Sequence, residues 1–560
     1  MDNKTVLAIG LILLVLLLPT FFAKPPAELP PPSPIRAEEM PEAPAVEQPS
    51  ITEVAPAVPM PDEAIGEVVT AQGQEVVVAS RLYAYRFSSR GARLIGAELL
   101  EHQTFHKGES GTAQIIPEDS EFLEYQLMVG GEMVSLADWD FEPSRSSLSV
   151  AEPGTDLEWV ATRGPATVRI TYTFDPDRYL FHVSGSIEGV QLDDANIVIG
   201  LGPRLRSVDS DSTTDFRSYG FVTKADRSEN TKFSSLDPGE SRFLQGPFGW
   251  VAVKSKYFLA AVLAVDEGQP DFSSVSITGG DRTQTTGMFG RASLANTRAH
   301  ATAALPLVAG HFAYSVYVGP QEYRRLEAVG YGLEDVNPYG WIFRPLVRPL
   351  SVFVVKLLLW GRETFAVSYG VLLIMFGLAI RIALWPLNQK AMRSSIAMQA
   401  IQPDMKRIQE VYKDDRVRMQ QEMMKLYKKH GMGPLGPLGG CLPILLQMPV
   451  LLTLFFVFLN TIEFRGVPFL WLPDLSRADP LYIVPLVMGA SMYAMTKIGQ
   501  IGVPPNPQTK MMTYMMPIMM TVLFLNFSSG LNLYYATSNI ASIPQQWLIA
   551  KERLKRKKHD

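Results

Sequence analysis

Cysteine is nearly missing from this chain: Cys441 is the only one in 560 residues. An exported domain built from it can hold no disulfide, so such a domain must be stabilised by its own core. Histidine is sparse too. His102, His106, His182 and His311 are scattered along the first part of the chain and read as surface or hydrogen-bonded side chains, not ligands. No Walker A run, zinc motif, nucleophile motif, cofactor fingerprint or pair of membrane acids occurs. The reading is therefore of a non-enzyme with no cofactor, no metal and no DNA partner.

Acid is also missing where it is most needed. Arg381 lies in the apolar run FAVSYGVLLIMFGLAIRIALWP, residues 365–386, and the neighbouring runs carry no comparable acid to neutralise it. A guanidinium inside a membrane helix costs roughly 2.5 kcal/mol or more, so such residues usually face a protein interior or a wet cavity. Arg381 also sits about one turn inside Trp385, from where it could snorkel to lipid phosphates. Cavity and anchor both fit the sequence.

What is present is a chain of two charge characters. The net charge of −5 hides 25 Lys/Arg against 44 Asp/Glu in residues 24–340, and ten cations against five acids in residues 387–440. Residues 551–560 add six cations and two acids. Residues 5–23 are continuously apolar and long enough to span a bilayer, and read as an uncleaved signal anchor within residues 1–23. Further spans are expected at about 365–386, 441–460, 481–497, 509–528 and 530–549. The segment 341–360 carries Arg344, Arg348 and Lys356 on one helical face between Trp341 and Trp360, as an interfacial amphipathic helix does. If it crossed, the basic 387–440 loop would lie outside, against the positive-inside rule. Six spans put both termini and both basic segments in the cytoplasm and residues 24–340 outside.

Residues 24–66 hold twelve prolines without hydrophobic periodicity and read as a disordered tether. From about 67 to 325 the period becomes two. Val168, Ile170, Tyr172 and Phe174 alternate with polar residues, and RYLFHVSGS, KYFLAAVLAV and HFAYSVYVG repeat the pattern. A large antiparallel β-sandwich is expected. Residues 387–430 read as a helical hairpin, with Met398, Ile401, Met405, Ile408 and Tyr412 facing Met419, Met423 and Leu426. Pro403 should kink its first helix or begin a new one. The hairpin is either a cap over the spans or a mobile basic element that meets incoming chains. The tail 550–560 reads as too short and too charged to fold, touching ribosomal RNA or anionic lipid.

The last span carries the second informative pattern. Asn532, Tyr535, Asn539, Ser542 and Gln546 recur at spacings of 3, 4, 3 and 4, a polar stripe on one helical face. Such stripes often glue helices together. Set beside Arg381, Gln447 and Thr453, the same stripe also reads as one wall of a hydrated groove. Eighteen of the 24 methionines follow residue 340, which suits either core packing or surfaces that accept varied apolar partners.

At this point the residues match a family. GWVAVKSKYFLAAVLA, YVGPQEY, RIALWPLNQKAM, QQEMMKLYKKHGMGPLGPLGGCLPILLQMPV and SSGLNLYYATSNIASIPQQWLI occur in order and resemble the YidC membrane protein insertases, relatives of the mitochondrial Oxa and plastid Alb insertases. The resemblance covers about residues 75–550 and points to the Gram-negative form. It implies a multi-domain protein: a polytopic α-helical membrane part with six spans and a five-helix insertase core at 365–549, plus a periplasmic all-β supersandwich. It implies a chaperone that inserts, folds and helps assemble inner-membrane proteins. Its expected partners are nascent membrane proteins, the lipid bilayer, the Sec translocon (SecYEG and SecDF) and the ribosome, met by the tail and hairpin. The family's groove arginine falls on Arg381, its third-span glutamine on Gln447 and its sixth-span substrate-contacting tyrosine on Tyr535. With Asn532, Ser538 and Asn539 these form the candidate groove set. One turn before the arginine, a threonine contact of some relatives is Gly377 here, which leaves that face without the family's contact. A secondary transporter is the alternative, although repeats and coupling carboxylates are not evident. A receptor whose β-domain binds a ligand is a third reading.

Overall fold

A computed structural model describes residues 73–264, 269–286, 292–337, 339, 343–430, 442–502 and 511–556. The expected anchor, the tether, Trp341 and Cys441 lie outside the described residues.

From Glu75 to Pro320 the chain forms sheets of five, nine and six strands, with a two-stranded hairpin beside them. Alternation dictates the packing. In the strand Ala166–Phe174, Val168, Ile170, Tyr172 and Phe174 are buried while Arg169 is exposed. The sheets meet face to face through these inward rows. Tyr172 of the nine-stranded sheet lies 4.8 Å, centroid to centroid, from Phe87 of the five-stranded one. Its hydroxyl is 2.9 Å from that of Tyr125 in the six-stranded sheet, so a buried polar atom is paired where two sheets meet. Among the described residues pairing is antiparallel except between Glu75–Ala79 and Ser147–Ser149, which run parallel. The strand Phe258–Leu263 departs from alternation and is buried at every position. A central strand covered on both faces loses its polar row.

The β-domain runs past the expected boundary at residue 325. After the short helix α1 (Ser212–Ser218) and the strands comes α2 (Tyr323–Val329), and Leu326, Leu333 and Val336 all belong to the β-domain core. Next lies α3 (Arg344–Phe365). Its cations turn back towards the β-domain: Arg348 donates to Asp335 at 2.6 Å and Lys356 to Glu327 at 2.7 Å. Val354, Val355, Leu358 and Leu359 pack inwards, while Leu350, Phe353 and Trp360 are exposed. An apolar exposed face beside ion-paired cations suits a helix lying in a bilayer interface.

The helical part continues with α4 (Tyr369–Ala383), α5 (Trp385–Ala400), α6 (Gln402–Val411), α7 (Arg416–Lys429), α8 (Leu442–Asn460), α9 (Ile483–Gly499), α10 (Met516–Phe524) and α11 (Ser529–Arg556). Short polar residues start several of them. Ser368 accepts from the Val371 amide, Asp415 from Arg418, and the buried Asp479 from both Leu481 and Val484. Pro403 falls in the first turn of α6, so it begins a new helix as expected. Ile401, Met405, Ile408 and Tyr412, with Met419, Met423 and Leu426, are each at least partly buried, as a hairpin seam requires.

Among the described residues no single helix is long and apolar enough to cross a membrane, and the count of six spans is not reproduced. One pair, Tyr369–Ala383 with Trp385–Met392, passes that test together but bends by 55°. The cause is Pro386, which lacks an amide hydrogen and whose ring crowds the preceding turn. The outward faces are nonetheless apolar: Val371, Met375, Leu378 and Ile382 recur at helical spacing on α4, all exposed. Such a patch is untenable in water and ordinary in lipid. A second difference concerns the C-terminus. Residues 550–556, expected as an unfolded tail, continue α11.

The two parts interlock through the turn Ile462–Phe464 and Arg465. Ile462 joins the β-domain core and Phe464 the helical core. Arg465, with only 3% of its side chain exposed, pairs with Asp209 at 2.8 Å. It also donates to the carbonyls of Gln103 (2.8 Å) and Val208 (3.1 Å), and lies 4.6 Å over the Phe105 ring.

Candidate functional site

Arg381 occupies the last turn of α4, just above the bend, and turns inwards. Its Nη1 donates to Oε1 of Gln447 on α8 at 3.4 Å, and its Nε is buried without a partner. The guanidinium is thus directed at a neighbouring helix. Its neighbour is neutral, so the charge stays uncompensated by any carboxylate at hydrogen-bond distance among the described residues. The sequences of α4, α8, α9 and α10 contain no acid at all. Thr453 is buried with its hydroxyl unpartnered, about 9 Å along α8 from Gln447 at 1.5 Å per residue and roughly 120° round the helix from it.

On α11 the row that meets α4 lies one residue before the expected stripe. Tyr534, fully buried, is the residue that faces α4: its ring lies 5.8 Å from that of Phe376, and Arg381 is its electrostatic neighbour. Its hydroxyl is buried beside Ser538. Ser538, one turn on, is buried on that face, and Gln545 donates to the carbonyl of Trp385 at 3.0 Å. A methyl added at Gly377 would lie 3.4 Å from both Tyr534 and Thr537, so α4 and α11 pass close at that glycine.

The expected stripe sits about 100° further round the helix. Asn532, completely buried, donates to the carbonyls of Phe524 (3.0 Å) and Ser528 (3.2 Å), stapling the turn between α10 and α11. Asn539 reaches the Met488 carbonyl and the Ser491 hydroxyl on α9, each at 3.4 Å. Tyr535 lays its ring against Phe524 at 5.5 Å. Ser542 donates to its own helix at 2.6 Å, and Gln546 lies beside Met392. The structure thus pairs Arg381 with Gln447, sets Ser538 one turn beyond Tyr534 on the same face of α11, and holds Asn532, Tyr535 and Asn539 against α9 and α10. Sequence reasoning passed over Tyr534. The available clue was a second row one residue earlier, Tyr534, Ser538 and Gln545.

The end nearest the β-domain is sealed. Phe458, Phe464, Leu472 and Leu475 form an apolar plug there. Gly530 is required by it, since a Cβ would meet Phe458 at 2.5 Å and the Leu475 carbonyl at 3.1 Å. The helical part therefore combines a cation with a neutral partner towards one end and close apolar packing at the other.

Known proteins match most of this chain. One family model, described as the YidC periplasmic domain, matches residues 75–353; another, described as a 60Kd inner membrane protein, matches residues 360–557. A membrane protein insertase YidC of Oleidesulfovibrio alaskensis is 32% identical over 99% of this chain and 100% of its own length. The chain belongs to the YidC membrane protein insertase family. A YidC insertase of Syntrophus aciditrophicus is 30% identical over 99% of this chain and 100% of that protein. A solved structure of an active YidC insertase aligns over 85% of this chain and 92% of that one, at 18% identity and a TM-score of 0.34. Within this frame the sheet-rich part is the periplasmic domain and the helices form the inner-membrane part.

Proposed function

We propose that this YidC-family chain inserts the hydrophobic segments of new membrane proteins from a polar recess lined by Arg381, Gln447, Thr453, Tyr534 and Ser538. One observation carries the reading: Arg381 is turned into the helical part with a neutral partner and a buried, unpartnered Nε. A charge left this way is costly as architecture and useful as a transient contact for acidic groups. The polar tail of a client would otherwise have to be dragged through hydrocarbon, and a recess reaching part of the way shortens that path. The apolar segment then moves into lipid past α4 and α11. Transfer of its surface from water supplies ~25 cal/mol per Å², and the membrane potential adds ~2.3 kcal/mol per charge per 100 mV for acidic tails. The residues named need no nucleotide for these steps.

The finer topology is part of the proposal: six spans counting one in residues 1–23, both termini in the cytoplasm, and residues 24–340 in the periplasm. So are the Sec translocon and the ribosome as partners, and Tyr535, Asn532 and Asn539 as contacts for clients that part α11 from α9 and α10. The test is insertion of a short acidic-tailed protein into vesicles holding the full chain. Arg381→Ala slows insertion roughly tenfold, the equivalent of ~1.4 kcal/mol, while Arg381→Lys keeps most of the rate because sign matters more than fork geometry. Equal rates for Arg381→Ala and the unmutated chain would reduce Arg381 to a packing residue.

A further inference from the structure

The bend at Pro386 leaves a cleft of about 290 Å³ between α5 and the far end of α11, outside the recess. Its walls include Trp385, Gln389, Gln545, Leu548, Lys551 and Lys555. Gln545 fixes the geometry by donating to the Trp385 carbonyl. Lys551 and Lys555, four residues apart, share one helical face, and both are exposed. The Lys551 ammonium stands 5.1 Å over the ring of Trp547. Glu552 is the one carboxylate in the lining, set against two ammonium groups.

The surface running up to the cleft is apolar. Ile540, Trp547 and Leu548 are exposed on α11, with Ile382 exposed at 71% on α4. Basic groups and amides at one end of an exposed apolar track complement an amphiphile, with an anionic head and a greasy tail. A free phosphate would use the lysines and leave the track idle. Basic pockets between membrane helices on the side facing anionic headgroups are known binding places for such lipids.

We propose that this cleft binds the headgroup of an anionic phospholipid, with Lys551 and Lys555 on the phosphate, Gln389 beside them as an amide donor, and the acyl chains along Trp547 and Leu548. An occupant there would hold the bend between α4 and α5 against the end of α11, next to the recess.

The test uses the full chain in mild detergent, titrated with phosphatidylglycerol or phosphatidylcholine and read by native mass spectrometry. Phosphatidylglycerol is expected to bind about tenfold more tightly than phosphatidylcholine, and Lys551→Gln/Lys555→Gln to remove that preference. Lys428→Gln/Lys429→Gln, on α7, should leave it intact. Inorganic phosphate at millimolar concentration should not displace the lipid; full displacement would assign the cleft to free anions and overturn the lipid. So would equal affinity for the two lipids, or an undiminished preference in the double variant. A readout that needs no charge substitution is tryptophan quenching. Acyl-brominated phosphatidylglycerol should quench the unmutated chain more than its phosphatidylcholine counterpart, and Trp547→Phe should remove the excess. No excess would refute the site.

Discussion

Replacing Arg465 with methionine tests whether the periplasmic domain and the helical part are rigidly joined. In the native chain its guanidinium is spent on three oxygens: Asp209 at 2.8 Å and the carbonyls of Gln103 and Val208. Methionine keeps much of the volume and removes the charge, leaving Asp209 beside Asp215 with Lys256 as the remaining cation close to both. Asp215 is close enough that the Asp209 charge, after burial, helps push its carboxyl up to about 6. Breaking a buried pair from one side typically costs 3–5 kcal/mol, because the remaining charge is stranded. Arg465→Met should therefore cost about 3 kcal/mol, and Arg465→Met/Asp209→Asn should recover a large part. Arg465→Lys keeps the sign and loses the fork, so a loss of ~1–2 kcal/mol is expected. The assay is hydrogen exchange at the amides of Arg465 and Val467, which close the turn onto Ile462 and Phe464, together with the thermal midpoint of the full chain. Exchange at these amides within ~0.5 kcal/mol of the unmutated chain in Arg465→Met, the range of an ordinary surface change, would refute the latch. A double variant no better than the single would refute the electrostatic account of it.

Three further outcomes follow from the same structure. Burial lifts the Glu463 carboxyl from 4.5 to about 7, so its stabilising contribution is complete below pH 4.5 and lost as pH rises through 7; the thermal midpoint of Glu463→Gln relative to the unmutated chain should improve between pH 5 and 8. Lys254, lowered by burial to about 7, has the opposite sign and acts above that pH, whereas Asp215, raised to about 6, loses its contribution over part of the same range as Glu463, so the effect is assigned by the difference between Glu463→Gln and the unmutated chain. Gly370→Ala should destabilise by ~1–3 kcal/mol because its Cβ would meet the Phe469 ring at 2.2 Å, whereas Gly377→Ala should cost little at 3.4 Å; equal thermal shifts would contradict the packing. Thr453→Val should hold or raise the thermal midpoint by removing a buried, unpartnered hydroxyl, yet slow insertion; a lowered midpoint would mean the hydroxyl is bonded.

Much of the β-domain was legible because alternation is a local rule, as at Val168 to Phe174. It failed at Phe258–Leu263, where a second covering layer, supplied by residues distant in sequence, removed the polar row. Pro403 was legible for a similar reason, since a missing amide acts on its own helix. The candidate groove was only half legible. Spacing placed Asn532, Tyr535 and Asn539 on one face, but spacing carries no information about which neighbour that face meets. Here it meets α9 and α10, and the row through Tyr534 and Ser538 meets α4. The C-terminus was misread because its charges were weighed alone. Joined to α11, residues 551–556 need no nucleus of their own, and helix propagation is cheap once begun.

Polar atoms in the helical part are met unevenly. Near the periplasmic domain the Asn532 amide has backbone acceptors, Ser529 donates to the Asp474 carbonyl and Asp479 accepts from the first turn of α9, yet Asn460 Nδ2, Glu463 Oε2 and Asn532 Oδ1 are buried without partners. Arg381 Nε and Thr453 Oγ1 are left over in the same way. Each such atom costs about 1–3 kcal/mol against a paired one, and an apolar residue of similar shape would avoid the penalty. Unpaired atoms occur at both ends, so they do not by themselves single out Arg381. What sets Arg381 apart is its charge, which is met by the neutral Gln447 and by no carboxylate at hydrogen-bond distance among the described residues. A charge held in this way is the costliest of the set to keep without a use.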